Sequence, residues 1–318
     1  MPALRRRVVA AALAAQVVGG CAAWTPAQTV RLQQRRPEDL PARVELASTP
    51  FFAQTPYHCG PAALATVLAD GGWPADPDEL ARHVFLPARQ GTLQDEMLAG
   101  ARRAGAVAQR LPPQLESLLR EVAAGTPVVV LLNLGLSLAP RWHYAVVVGY
   151  DLDEPHLLLR SGTTRRELLS LRTFEHTWAR SGHWAFVALP PGRLAVTLRE
   201  ADAVAALVGF ERVAQAPALE RAYAAAARRW PGNLTLAIGH GHALYAAGRI
   251  DEAADVLEAA ARRHDSAAAW NNLALVQLQR GDRRSAHEAA QRALARAEAA
   301  EPQWLPAVRS TVERVARP

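Results

Sequence analysis

Phe51-Phe52-Ala53-Gln54-Thr55-Pro56-Tyr57-His58-Cys59-Gly60-Pro61-Ala62-Ala63-Leu64 is the stretch from which the rest of this chain can be read. The chain has two cysteines, and the other, Cys21, ends an N-terminal apolar run, so Cys59 is the thiol left free for chemistry. Cys59-Gly60-Pro61 sets that thiol just ahead of a proline at the start of a helix, where the missing N–H costs nothing. Ala62 to Leu68 supply the helix. A thiol at a helix N-terminus lies at the positive end of the dipole, so the pKa of Cys59 is expected below the ~8.5 of a free thiol. Gln54, five residues earlier, can offer its side-chain N–H to a developing oxyanion alongside the backbone N–H of Cys59.

A cysteine nucleophile needs a base. His143 opens Tyr144-Ala145-Val146-Val147-Val148-Gly149-Tyr150, an apolar run that reads as a buried strand. A histidine at the mouth of such a strand can face a helix N-terminus and act as general base. His58 adjoins the thiol in sequence but points away from it. His83 and His156 stand in polar contexts, and His240, His242, His264 and His287 fall in the helical part of the chain. The ring also needs a partner to orient it. Asp151 lies eight residues from His143, about 26 Å along an extended strand, too far to serve. If Asp151 to Pro155 form a hairpin turn, residues 161 to 163 return opposite His143. That leaves Ser161 or Thr163 as the orienting group, with Asn133, at the end of the Val128-to-Leu132 strand, as a third candidate.

Gln54, Cys59-Gly60-Pro61-Ala62-Ala63-Leu64 and His143-Tyr144-Ala145-Val146-Val147-Val148-Gly149-Tyr150-Asp151 resemble the C39-type, papain-like cysteine peptidases, a family that includes the leader-peptide-cleaving domains of bacteriocin exporters. The resemblance covers about Leu46 to Leu189. It implies an α+β papain-like domain with Cys59 as nucleophile, His143 as base and Gln54 as oxyanion helper. It also implies an Asp on the strand after the histidine strand. Ser161 stands there instead, and a neutral partner stabilises imidazolium less than a carboxylate does. Three activities stay open: a thiol peptidase, another acyl transfer by the same Cys–His pair, and a non-catalytic binding lipoprotein.

The N-terminus sets the expected compartment. Arg5-Arg6-Arg7 precedes an uncharged run from Val8 to Val18, then Gly19-Gly20-Cys21. The run is shorter than the ~20 residues of a membrane span, so residues 1–20 read as a signal peptide. Gly19-Gly20-Cys21 resembles a bacterial lipobox, which implies lipidation of Cys21 and an anchor in the cell envelope. By resemblance to Gram-negative lipoproteins, Ala22 and Ala23 rather than Asp after it imply the outer membrane facing the periplasm. Residues 21–45, with Pro26, Pro37 and Pro41, read as a tether. The formal net charge is +6. Losing three arginines with the signal leaves about +3, too little to argue for nucleic acid. Every basic side chain is arginine.

Pro190-Pro191-Gly192 breaks both helices and strands and closes the first domain, 46–192. Beyond it the chain is Ala-rich. Gly248-Arg249-Ile250-Asp251-Glu252-Ala253 recurs as Gly281-Asp282-Arg283-Arg284-Ser285-Ala286. Trp270, Leu273, Ala274, Ala290 and Ala293 surround the second copy, and Tyr223, Ala226 and Pro231 mark a partial earlier one. These positions resemble the tetratricopeptide pattern, so 203–318 is expected to be an all-α set of helical hairpins, with Gly at the turns and alanines where helices touch. The expected partners are a peptide or protein substrate, a protein docked on the repeats and a membrane through the lipid. Neither cofactor nor metal is expected.

Overall fold

Alternating and continuous apolar runs dictate the strands, and alanine-rich stretches with polar caps dictate the helices. The computed structural model describes residues 26–55, 57–136 and 138–317. The signal segment and Cys21 lie outside the described residues. In chain order the elements are α1 (Ala27–Gln34), β1 (Arg43–Glu45), α2 (Cys59–Asp70), α3 (Pro77–Val84), α4 (Gln94–Arg103), β2 (Val107–Arg110), α5 (Leu115–Ala123), β3 (Val128–Asn133), β4 (Trp142–Asp151), β5 (His156–Ser161), β6 (Thr164–Ser170), α6 (Leu171–Ala179) and β7 (Ala185–Leu189), then seven α-helices. These are α7 (Glu200–Glu211), α8 (Ala216–Arg229), α9 (Leu234–Ala246), α10 (Ile250–His264), α11 (Ala267–Arg280), α12 (Arg283–Ala299) and α13 (Leu305–Ala316). Two compact units result: residues 1–97 with 110–187, and residues 98–109 with 188–318.

In the first unit, β7, β3, β4, β5 and β6 pair in that order, each neighbour antiparallel. β1 continues the β3 edge of β4, pairing Arg43–Glu45 with Gly149–Asp151 where β3 has ended. Val128–Val130, Ala145–Val148 and Leu157–Leu159 are buried, as are Leu64 and Leu68 of α2 and Phe174 and Trp178 of α6. The stretch read as a tether departs from that expectation. From Ala27 onward it is folded, because it carries its own apolar anchors, Leu32 and Leu40, both buried. The Glu175 carboxylate also accepts from the backbone N–H groups of Gln28 and Thr29, capping α1 from a distance.

In the second unit the helices form hairpins at a constant step: α9 and α11 begin at Leu234 and Ala267, and α10 and α12 at Ile250 and Arg283. Gly248 and Gly281, at φ +77° and +88°, make the turns inside these two hairpins, a backbone that side chains with a Cβ resist. Asn233, Ser266 and Asp282 cap α9, α11 and α12 by accepting a backbone N–H three residues on. Ala253, Ala254, Ala260 and Ala261 of α10, and Ala286, Ala289, Ala290 and Ala293 of α12, are buried. Small side chains there let helix axes approach. The segment is a set of helical hairpins repeating at a fixed step, as expected. α7 and α8 form one more hairpin where the sequence reading found only a partial copy. Its turn, Arg212 to Gln215, contains no glycine, so the marker that identified the other two was missing.

Candidate active site

Cys59 is the first residue of α2, and its helix lies against β4. Gly60 is required beside it, since a Cβ there would stand 2.6 Å from Thr92 Oγ1. His58 turns away from the thiol, as expected: its Nδ1 lies 2.9 Å from Thr55 Oγ1 and its ring meets Phe85 edge-on at 5.0 Å. His143 is the second residue of β4, paired with Leu132 of β3. Cys59 and His143 line one cleft of about 1090 Å³, together with Gln54, Tyr144, Gly162 and Thr163. A small crevice of about 10 Å³ runs between Gln54, Cys59, Arg160 and Ser161.

His143 Nε2 lies 2.9 Å from Ser161 Oγ. The β4–β5 ladder holds its pairs up to Val146–Arg160. Continued without a break, it would set Thr163 opposite His143. Instead β5 ends at Ser161, and the chain turns through Gly162 (φ +59°) and Thr163 into β6. Ser161, diagonal to the histidine, is therefore the residue whose hydroxyl reaches the ring. Asn133 is engaged elsewhere. Its side-chain carbonyl accepts the N–H groups of Gly135 and Arg141, each at 2.9 Å, tying the β3–β4 loop. Asp151 sits at the far end of β4, caps the 151–154 turn and pairs with Arg43.

The hydrogen bond to Ser161 occupies Nε2 and leaves Nδ1 as the ring nitrogen available to the thiol. Gln54 is held against the same turn: its backbone N–H donates to Gly162 O at 3.1 Å, and its Nε2 lies 3.3 Å from where a Gly162 Cβ would stand. Gln54, Cys59, His143 and Ser161 thus share one wall, drawn from a loop, a helix start, a strand start and a hairpin end.

One residue of this wall escaped the sequence reading. Arg160, in the middle of Leu157-Leu158-Leu159-Arg160-Ser161, is 5% exposed. Its guanidinium donates to the backbone carbonyls of Leu46, Ala47, Thr49 and Arg165. It fastens the segment leading to Gln54 onto the strand that carries Ser161. The signal was present, since a cation inside an apolar strand must be satisfied by something.

The thiol's protonation corrects an expectation. Burial pushes the Cys59 pKa above its ordinary 9.0, and the backbone N–H groups of Tyr144, Gly60 and Cys59 pull the other way without cancelling it. Burial also holds the His143 imidazole below its ordinary 6.5, with Glu167 opposing and Arg141 reinforcing. Burial therefore outweighs those backbone N–H groups, and both shifts favour the neutral thiol and the neutral imidazole.

Comparison with known proteins places this domain. Residues 46–186 match the model of the Peptidase_C39 like family, so that stretch is a C39-like peptidase domain. Among solved structures, a C39-like peptidase from Bacillus anthracis is similar at 19% identity and TM-score 0.40, covering 47% of this chain and 98% of its own. The peptidase domain of Streptococcus ComA, a bi-functional ABC transporter involved in quorum sensing, is similar at 20% identity and TM-score 0.36, covering 45% and 98%. For the helical part, the TPR2B domain of yeast Sti1, in complex with a pHsp70, is similar at 17% identity and TM-score 0.35, covering 37% and 95%. No curated protein matches the sequence.

Proposed function

We propose that this chain is a cysteine peptidase acting through a Cys59–His143 pair. The observation that carries the reading is the Ser161 hydroxyl on His143 Nε2 at 2.9 Å, on a ring that shares its cleft with the thiol. Because both groups are neutral at rest, the proton leaves the thiol as it attacks. Nδ1 of His143 takes that proton while Cys59 Sγ bonds the substrate carbonyl carbon. The resulting oxyanion meets the backbone N–H of Cys59 and the side-chain amide of Gln54. The imidazolium then protonates the leaving amine, and water, activated by the same ring, hydrolyses the thioester. The neutral pair and the neutral orienting serine support a slow enzyme. In this reading the helical repeats dock a protein partner, and a lipid on Cys21 holds the chain to the cell envelope.

The test is release of new N-termini from a peptide mixture by the purified protein, measured beside Cys59→Ala. New termini from both proteins, or from neither while a thiol-directed electrophile still labels Cys59, would remove the peptidase reading. Amide or ester exchange without hydrolysis would move the Cys–His pair to another acyl transfer.

A further inference from the structure

The cleft around Cys59 carries charge of one sign. Arg89, Arg141 and Arg180 line it, and among the described residues no aspartate or glutamate does. Two carboxylates that act on it, Asp95 on Tyr144 and Glu167 on His143, stand outside the lining. Four other arginines of the same unit are paired with carboxylates: Arg36 with Asp153, Arg43 with Asp151, Arg120 with Asp39 and Arg166 with Glu45. Among the described residues Arg89 and Arg141 have no carboxylate partner. Arg180 donates to the carbonyls of Asn133 and Gly135, which holds the hairpin loop that bears Arg141.

Between these cations the lining includes open apolar side chains among polar ones. Tyr57, Leu93 and Trp142 are 59%, 46% and 52% exposed. A cleft of about 1090 Å³ accommodates several residues of an extended chain.

We propose that the cleft selects peptides carrying carboxylates next to apolar side chains, with Arg89 and Arg141 reading the charge. This rests on the peptidase reading above and names its substrate class. Unpaired guanidiniums at a concave surface favour a carboxylate ligand and repel a cationic one. Leu136 and Leu138, exposed at the tip of the same hairpin, raise an anionic membrane as the rival ligand. A bilayer surface is flat, whereas Arg89 and Arg141 line a cleft, so the geometry favours the peptide.

The experiment uses the full chain with Cys59→Ala, which binds without turning over. Two fluorescent decapeptides are compared, identical except for two Glu in one and two Gln in the other. At low salt the Glu peptide is expected to bind about tenfold more tightly, a gap that closes at high salt, as expected of two partly exposed charge pairs. The double variant Arg89→Glu/Arg141→Glu should reverse the order, and Arg36→Glu should leave it intact. Equal affinity for the two peptides overturns the proposal, as does a Glu preference that the double variant leaves unmoved. Binding of anionic vesicles that is lost in Leu138→Ser, without any charge preference among peptides, replaces the peptide with a membrane and also overturns it. Cleavage is read separately with Cys59 intact. Glu-selective binding without new N-termini sinks the peptidase reading and supports the proposal; cleavage without charge preference does the reverse.

Discussion

The two units of this chain stabilise themselves in opposite ways. In the helical unit the same small residues recur at a fixed step, and each position has counterparts in the next hairpin. In the peptidase unit the decisive residues occur once. Gln54, Cys59, His143, Arg160 and Ser161 come from separate elements, and each has its own set of neighbours. Repetition spreads a function over many positions, so single changes there act through packing. A site assembled from single residues concentrates function, so single changes there act on chemistry.

The sharpest break in that contrast comes from the nucleophile and its base. Cys59→Ala and His143→Ala are each expected to lower kcat/KM by at least about 10⁴, and the double variant by no more, because the two act as a unit. Melting temperature should stay close to that of the parent. Ala290→Leu, in the buried face of α12, should do the opposite: destabilise by about 1–3 kcal/mol through overpacking while leaving kcat almost unchanged. Thermal melts beside peptide-cleavage kinetics separate the two patterns. A Cys59→Ala protein that keeps its activity would end the comparison.

Gln54→Ala comes next, with an expected loss of about 10²–10³ in kcat and little change in stability. An unaltered kcat would return Gln54 to the role its backbone already has, holding the loop to Gly162 at 3.1 Å.

Arg160 tests whether the peptidase unit separates chemistry from scaffolding as cleanly as the first prediction assumes. Arg160→Met removes a buried cation and leaves the carbonyls of Leu46, Ala47 and Thr49 without their donor. The expected cost is about 3 kcal/mol in a denaturant melt, by the desolvation of unpartnered polar groups. A loss of rate larger than that of stability would make Arg160 a positioning residue for Gln54 and Ser161 rather than a brace alone.

What was legible in the sequence follows the same division. Cys59, Gln54 and the helix after them are local, written in one stretch of residues. The return of residues 161 to 163 to His143 was legible too, because a short turn after Asp151 fixes where the next strand comes back; the choice of Ser161 over Thr163 and Asn133 was not, since it depends on where β5 ends. The hairpins marked by Gly248 and Gly281 were readable from a repeated turn. What was not readable depends on residues distant in sequence. The direction of the Cys59 shift is set by burial within the fold, and no local pattern reports that. The cleft arginines are scattered at 89, 141 and 180, so the sequence shows three ordinary cations rather than one patch. Residues 26–45 looked like a tether because their apolar anchors are few, and their capping carboxylate, Glu175, lies far along the chain.

The smallest expected effect is the most informative about the site's protonation. A serine hydroxyl can donate to Nε2 or accept from it, so it does not fix which tautomer leaves the Nδ1 lone pair for the thiol. It also adds no charge to hold an imidazolium. With the thiol pushed above 9.0 and the imidazole held below 6.5, alkylation of Cys59 should be slow at neutral pH and rise through the alkaline range. Ser161→Ala removes only a neutral hydrogen bond and should cost less than about tenfold in kcat/KM. Ser161→Asp places a carboxylate on Nε2. That raises the imidazole pKa, favours proton transfer from the thiol and extends alkylation to lower pH, with the cleavage rate preserved or increased. A Ser161→Asp protein whose labelling profile does not move would mean that the 2.9 Å hydrogen bond positions the ring without controlling its charge. Asn133→Ala is the internal control. It frees the N–H groups of Gly135 and Arg141 and should lower stability by about 1–2 kcal/mol, leaving the pH profile of labelling in place.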